Sequence, residues 1–584
     1  MNIKIFSLLN KKKKFELKLI FFLSSIYFFL EFASLSSIPV FVGILINPEL
    51  ILKKVENLTN LEIMGNYSNS DYQIFFAALV IFLFIIKNLY LVLITIYESG
   101  FLQRFKISIS NKLFNFYAKL PYSYHLKNNP AKLTKMVSDE IQNISGYIQH
   151  LLTFIREILA LIVIFILLLI ANWLLAAFIF LLFILVSSIY FKIIKPFVKK
   201  AAKKNQLIRQ SMFQTINEAF GIIKEIKIYS KEDQIIDFFD KNNEKFEKNL
   251  YYFYIINKLP RAILETFALV LIILVALFFF NSGGDDYAKH FPTLALLTVA
   301  TVRFIPAFNG IVTSLTYIKI FGVSVKLISG EIIDMENFKN ENFHTKKIVT
   351  KLDDQGDGYL QIKNLSFKYP MKEKYLLNRI NFSVNKGSKL AITGETGSGK
   401  STLIQLVLGL FVPQDGDILF RNKSIFQNLK NWRNEIGYIP QKVYLLDSTI
   451  EKNITLNFFD EKTDNAKMEK AIFLSGLSKK IADLPNGLET KTGSDGLKLS
   501  GGEKQRIVLA RAIYREPNVL IMDEFTSSLD QDTENRILLN LSEFFKDKTI
   551  IMISHRLNAI KNCDIILNVE NGKLVEIKKE KNFF

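Results

Sequence analysis

A single cysteine, Cys563, stands in a chain of 584 residues. One thiol cannot build a disulfide framework, and with no His/Cys cluster there is no structural zinc site. Acidic residues are also scarce: 55 Asp and Glu face 74 Lys and Arg, a formal net charge of +19. An excess of that sign suits nucleic acid, but it suits equally well a protein whose Lys and Arg flank membrane helices on the cytoplasmic side. The excess sits where the membrane account wants it, so no nucleic-acid partner is expected. Nor does an A-x-A-like cleavage site end the apolar stretch that follows Lys11 to Lys14. That stretch runs to about residue 46, too long for a signal-peptide core, and a retained membrane anchor is expected.

Hydrophobic residues are what the chain has in quantity: 49% of the total, with 52 Phe, beside 22% charged residues. These figures fit together only if apolar and charged residues are segregated. They are, and a chain of this length needs more than one core. Long apolar runs fall almost entirely within residues 1–330, the expected membrane domain. Residues 331–358 read as a linker and 359–584 as a soluble domain. Within the linker, Asp353 to Gly358 faintly resembles a calcium loop, but Gln355 and Asn364 stand where carboxylates are needed.

A bilayer core needs about 20 apolar residues as helix. Six segments meet this: about 17–46, 73–97, 148–170, 173–194, 260–281 and 292–318. Every backbone amide must be satisfied inside such a span, so an α-helical bundle is expected. The connections 99–147 and 192–258 are long, basic and helical in periodicity, whereas 47–72 balances Lys53 and Lys54 against Glu49, Glu56, Glu62 and Asp71. The Lys/Arg bias places both termini, both long connections and the soluble domain in the cytoplasm of a multi-pass membrane protein. Each long connection has one interruption, near 120–129 and near 220–230, where short transverse helices are expected to dock onto a soluble domain.

In the soluble part, the apolar strand Lys389 to Thr393 leads into Gly394-Glu395-Thr396-Gly397-Ser398-Gly399-Lys400-Ser401-Thr402 and then an apolar helix. This is the phosphate-binding loop G-x-x-x-x-G-K-S in its strand–loop–helix setting. Its glycines let backbone N–H groups approach phosphate, and the helix N-terminus adds positive potential. Lys400 is placed to bridge the β- and γ-phosphates of ATP, and the Ser401 hydroxyl to bind Mg²⁺. A second apolar strand, Asn518 to Met522, ends in Asp523 and Glu524. Asp523 is expected to hold Mg²⁺ and Glu524 to polarise the attacking water. A third strand, Ile551 to Ile553, leads to Ser554 and His555 at the carboxyl edge of the sheet, where ligands bind.

About a hundred residues after the loop comes Leu499-Ser500-Gly501-Gly502-Glu503-Lys504-Gln505-Arg506, which resembles the signature motif of ATP-binding cassette (ABC) proteins. The other cassette motifs stand in order. Tyr369 resembles the aromatic that stacks on adenine, Gln441 the loop glutamine that senses Mg²⁺ and contacts the membrane domain, Ser528-Leu529-Asp530 the D-loop, and His555 the switch histidine. The stretch Lys491 to Gly496 departs from the pattern of many exporters. The resemblance implies that Ser500, Gly501 and Gly502 of one subunit cap ATP held by another, so a homodimer is expected. Six spans ahead of a cassette resemble an ABC exporter of the lipid and multidrug type, with an α/β P-loop domain after a helical membrane domain.

Basic residues inside spans are costly and usually functional. Lys87, Arg261 and Arg303 lie in or at the edge of spans, with Glu31, Glu98 and Glu265 as possible partners and Glu157 next to Arg156. The runs at 120–129, 217–227 and 303–309 look most like the exporter subgroup that includes the flippase for lipid-linked oligosaccharides of the bacterial inner membrane. That subgroup carries basic residues facing a lipid pyrophosphate, and position 87 is Lys here rather than Arg, a weaker bidentate partner for phosphate. The resemblance implies movement of a polyprenyl-pyrophosphate glycan or surface-polysaccharide precursor. Export of lipid A-like lipids, peptides or drugs is the alternative within the class. A cassette-gated channel or regulatory membrane ATPase is the alternative outside it.

Overall fold

Lipid offers the backbone no hydrogen-bond partner, and the apolar half of the chain answers with long helices. The computed structural model describes residues 11–46, 48–49, 68–174, 176–177, 181, 188, 192, 208, 211–282, 291–342, 359–369, 372–459, 461–493, 496, 499–525 and 529–577. Two compact units result: Met1–Lys119 with Asn129–Lys346, and Leu120–Asn128 with Lys347–Phe584.

The first unit contains α1 (Lys11–Ile46), α2 (Asn69–Lys119), α4 (Pro130–Val137), α5 (Asp139–Ala171), α6 (Ile223–Ile228), α7 (Glu232–Ser282) and α8 (Phe291–Asn342); the short α3 (Tyr122–Lys127) belongs to the second. Among the described residues, five segments are long and apolar enough to cross a membrane, lying in α1, α2, α4 with α5, α7 and α8. The expected span at 173–194 falls largely outside the described residues, as do most of the 47–72 loop and the 343–358 part of the linker. Helix α8 runs on to Asn342, past position 330 where the linker was expected to begin. Leu35 of α1, Val163, Ile164 and Leu167 of α5, and Leu296 and Ala300 of α8 form a shared apolar core. Outward residues such as Phe82, Leu89 and Leu93 of α2 are more than half exposed and suit contact with acyl chains.

Short elements occupy both expected interruptions. Pro121 starts α3 with extended dihedrals, Asn128 ends it in an extended conformation, and Asn129 then caps α4, whose first residue is Pro130. A proline restricts the residue before it to extended conformations and is itself suited to the first helical turn, so the two prolines isolate one short helix. Helix α6 buries Ile226 and leaves Ile223 and Ile228 exposed.

In the second unit an antiparallel sheet joins β1 (Leu360–Phe367), β2 (Leu377–Val384), β4 (Asp415–Phe420) and β5 (Lys423–Ser424) in the order β2-β1-β4-β5. The other sheet uses β3 (Lys389–Gly394), β6 (Ile436–Ile439), β7 (Val519–Asp523), β8 (Thr549–Ile553), β9 (Ile565–Glu570) and β10 (Lys573–Ile577), ordered β10-β9-β3-β8-β7-β6. All neighbours there pair in parallel except β10 with β9. Strands β7 and β8 are buried along their whole length, which is why they read as unbroken apolar runs rather than alternating ones. Helices α9 (Lys400–Val407) and α10 (Gly501–Tyr514) begin within the phosphate loop and the signature, and α11 (Gln531–Phe544) begins just after Asp530. Leu403, Ile404 and Leu406 of α9 pack with Ile392, Ile521 and Ile551 of the sheet in one core.

Candidate nucleotide site and the membrane cations

Strand β3 ends at Gly394, and the chain turns back into α9 through three glycines with positive φ: Gly394 at 134°, Gly397 at 85° and Gly399 at 109°. At Gly394 the requirement is also spatial, because a Cβ would lie 2.4 Å from the Val569 carbonyl oxygen. The Lys400 ammonium, buried beneath this turn, donates to the carbonyl oxygens of Gly394 at 2.6 Å and Glu395 at 2.7 Å. The loop thus holds its own cation at its centre. Ser401 is exposed, and the buried Ser398 hydroxyl has no hydrogen-bond partner. Tyr369 shares a hydrogen bond of 3.0 Å with the Thr402 hydroxyl and packs edge-on against Phe367 and Phe411.

Parallel pairing of β7 with β8 brings Asp523 and Glu524 beside the strand end that leads to His555. Burial, reinforced by the neighbouring Glu524 charge and opposed by Lys400, pushes the Asp523 carboxyl up to about 6. One of its oxygens, Oδ1, is buried without a hydrogen-bond partner. Glu524 has φ 46°, a left-handed conformation unusual for a residue with a side chain, and its N–H donates to the Ile553 carbonyl at 3.1 Å. The carboxylate accepts a hydrogen bond of 2.5 Å from Gln441 Nε2, and His555 Nε2 lies 3.9 Å from its other oxygen. Gln441, Glu524 and His555 therefore converge although they come from widely separated segments.

Ser500 caps α10: its hydroxyl accepts from the Glu503 N–H, and Glu503 accepts in return from the Ser500 N–H. Lys480 holds the Glu503 carboxylate at 2.9 Å. Ser500 and Gly501 are exposed and Gly502 is half-buried, so the positive end of a 14-residue helix faces outward. Asp530 caps α11 through the Thr533 N–H, while Ser528 lies outside the described residues. Thr492, in the segment that departs from the exporter pattern, is buried and donates to the Leu446 carbonyl at 2.8 Å.

The two halves match two family models. Residues 377–527 match "ABC transporter" and residues 54–282 match "ABC transporter transmembrane region". The chain is an ABC exporter half-transporter. Its relatives include the "ATP-dependent lipid A-core flippase" of Photobacterium profundum, 28% identical over 82% of this chain and 82% of that one. Over 44% of this chain and 36% of its own, the "Alpha-hemolysin translocation ATP-binding protein HlyB" of Escherichia coli is 35% identical. The "Structure of a bacterial Atm1-family ABC exporter with ATP bound" has the same fold, with a TM-score of 0.69 at 20% identity over 96% of this chain and 95% of that one. ATP hydrolysis coupled to transport is therefore the activity of this half-transporter.

The cations Lys87, Arg261 and Arg303 have different surroundings. Arg303 of α8 pairs with Glu31 of α1 through its Nε, and one of its terminal nitrogens lies 3.7 Å from Glu157 of α5. Lys87 of α2 is only 7% exposed and lies 4.6 Å above the Phe84 ring. Among the described residues, it makes no hydrogen bond or ion pair. Arg261 is exposed and bonded at 2.6 Å to Glu265, one turn along the same helix. No hydrogen bond or ion pair among the described residues joins it to the other two. Arg156 turns to Glu98 at 3.3 Å and leaves its chain neighbour Glu157 for Arg303. That last partnership was not visible in the sequence, since nothing in the spacing relates residue 157 to residue 303.

Proposed function

We propose that two copies of this chain form a homodimer that flips a lipid with an anionic, pyrophosphate-type headgroup across the bacterial inner membrane, driven by ATP. In this reading Gly394 to Thr402 cradle the phosphates, Tyr369 stacks on adenine, and the outward-facing Ser500, Gly501 and Gly502 of the second copy close the site. The exposed helix end at Ser500 supports the last point, because its amides have the polarity to meet a γ-phosphate.

Ser401, Gln441 and Asp523 fit a hard cation such as Mg²⁺: all three offer oxygen ligands, and Asp523 Oδ1 is buried with no hydrogen-bond partner among the described residues. That ion, when bound with ATP, supplies charge neutralisation on the β- and γ-phosphate oxygens. Glu524 orients the attacking water and accepts its proton, with His555 at 3.9 Å placed on the same carboxylate. Gln441 holds that carboxylate, and in the same unit α3 stands on the aromatic cluster that includes Tyr369: Tyr122 lies 5.8 Å from Phe411. Since α3 is covalently continuous with α2 and α4, a change at the nucleotide has a route into the membrane helices. Rigid-body alternation between two discrete arrangements then carries the lipid, with both termini and the cassette on the cytoplasmic side.

The observation that carries the headgroup assignment is Lys87, a cation buried among membrane helices that makes no ion pair or hydrogen bond among the described residues. Such a group is retained at a cost only where it has work to do. The flippase relatives support a lipid cargo. The test is ATPase activity in lipid nanodiscs with added polyprenyl-pyrophosphate glycan, compared with lipid A and with hydrophobic drugs. Stimulation by the glycan is expected; stimulation by drugs alone overturns the assignment.

A further inference from the structure

We infer that Glu31 is a built-in stand-in for the headgroup: it occupies Arg303 in the unloaded transporter and is exchanged for the lipid's phosphate during loading. This rests on the anionic-headgroup reading above and assigns Glu31 and Glu157 as residues that set its affinity.

The arrangement is asymmetric. Glu31 is 1% exposed and engages Arg303 directly, whereas the Arg303 side chain keeps 23% of its surface open. Glu157 waits as a second acceptor: its Oε2 is 3.7 Å from the guanidinium, buried and without a hydrogen bond. It can stand there because position 310 of α8 is glycine; a Cβ would lie 2.9 Å from the Glu157 Cγ. Lys87 carries the one charge of the group without an ion-pair partner among the described residues. Taking Lys87, Arg303 and Arg156 with Glu31, Glu157 and Glu98, three positive charges face three negative ones, so the cluster is neutral without cargo.

An entering phosphate can engage Lys87 without breaking an ion pair or hydrogen bond among the described residues. It then competes for Arg303, whose planar fork suits a phosphate at least as well as a carboxylate. Release of Glu31 removes one ion pair between α1 and α8, and release of Glu157 removes one between α5 and α8. The apolar core shared by α1, α5 and α8 and the Asn143–Ser324 hydrogen bond stay in place, so cargo binding loosens the charged contacts between these helices without separating them. Exchange also imposes selectivity, because a neutral lipid has nothing with which to replace the two carboxylates. It lowers the apparent affinity for cargo by the fraction of molecules in which Arg303 is free.

The experiment is a titration of ATPase activity in nanodiscs with polyprenyl pyrophosphate and, separately, with lipid A, for wild type, Glu31→Gln, Glu157→Gln and Lys87→Gln. Removing the competing charge in Glu31→Gln is expected to lower the half-maximal lipid concentration about tenfold. Glu157→Gln lowers it less, and Lys87→Gln raises it. A wild type that responds to polyprenyl pyrophosphate with Glu31→Gln unchanged or weaker overturns the exchange and leaves the headgroup reading standing. A wild type that responds only to lipid A overturns the pyrophosphate reading, and the shift in Glu31→Gln with lipid A then decides the exchange. No response to either lipid in any variant overturns both. Should Glu31→Gln fail to fold, Glu157→Gln carries the test, and an unchanged midpoint there counts against the exchange.

Discussion

Phe411 touches the Tyr122 ring at 5.8 Å, Phe367 at 5.3 Å and Tyr369 at 5.7 Å, and is itself buried. Phe411→Leu is the informative perturbation, because it keeps most of the apolar volume while removing the ring. A swap of this kind costs the fold under about 1.5 kcal/mol, against roughly 3–5 kcal/mol for Phe411→Ala. Aromatic pairs are worth about 0.5–1.5 kcal/mol each beyond their buried area. Loss of the Tyr369 contact should therefore raise the KM for ATP by about two- to twelvefold, and loss of the Tyr122 contact should weaken lipid stimulation of the ATPase. The assay is the full-length protein in nanodiscs, with ATP titrated in the presence and absence of lipid. A double-mutant cycle with Tyr122→Ala isolates the pair, and a coupling energy of about 0.5–1.5 kcal/mol in the stimulated rate is expected. If Phe411→Leu keeps both its ATP affinity and its lipid response, α3 does not communicate with the nucleotide through this ring cluster.

Glu524→Gln should bind ATP normally yet lose hydrolysis by about 10²–10⁴-fold, seen as nucleotide retained by the purified protein; near-wild-type turnover would remove Glu524 from the base role. Asp523→Ala should raise the Mg²⁺ concentration for half-maximal activity by at least about tenfold, measured by metal titration of the ATPase. Neither Lys400→Ala nor Ser500→Arg homodimers should hydrolyse ATP, but mixed dimers of the two should recover activity, since one intact loop then faces one intact signature; a mixture that stays inactive argues against closure in trans. Gly310→Ala should displace the Glu157 side chain, whose Cγ would be 2.9 Å from the new methyl, at a cost of about 1–3 kcal/mol. Thermal unfolding should show this loss, and a lipid midpoint lowered in the direction of Glu157→Gln should accompany it.

The cassette domain was legible in the sequence because the cues to its phosphate loop are local. A glycine-rich turn, a lysine and a serine lie within nine consecutive positions, and the strand–turn–helix that presents them is written in the same stretch. The two short helices at the interruptions were legible for a similar reason, since the prolines and the glycine that bound them act on their immediate neighbours. Arg261 with Glu265 could be paired by counting one helical turn.

Other partnerships depend on packing. Glu31 and Arg303 are 272 positions apart and meet because α1 and α8 lie side by side, and Glu157 reaches the same guanidinium only because α8 has a glycine at 310. Helical spacing puts residues three and four apart on one face and says nothing about which other helix that face will meet. Charge, hydropathy and motif spacing are properties of the chain itself, and they alone identified a membrane-embedded ATPase and its phosphate loop. Whether a buried cation is available to cargo or already occupied is a property of neighbours brought together by folding. Only the tertiary structure decided that Lys87 stands without an ion-pair partner among the described residues while Arg303 is held by acids from two other helices.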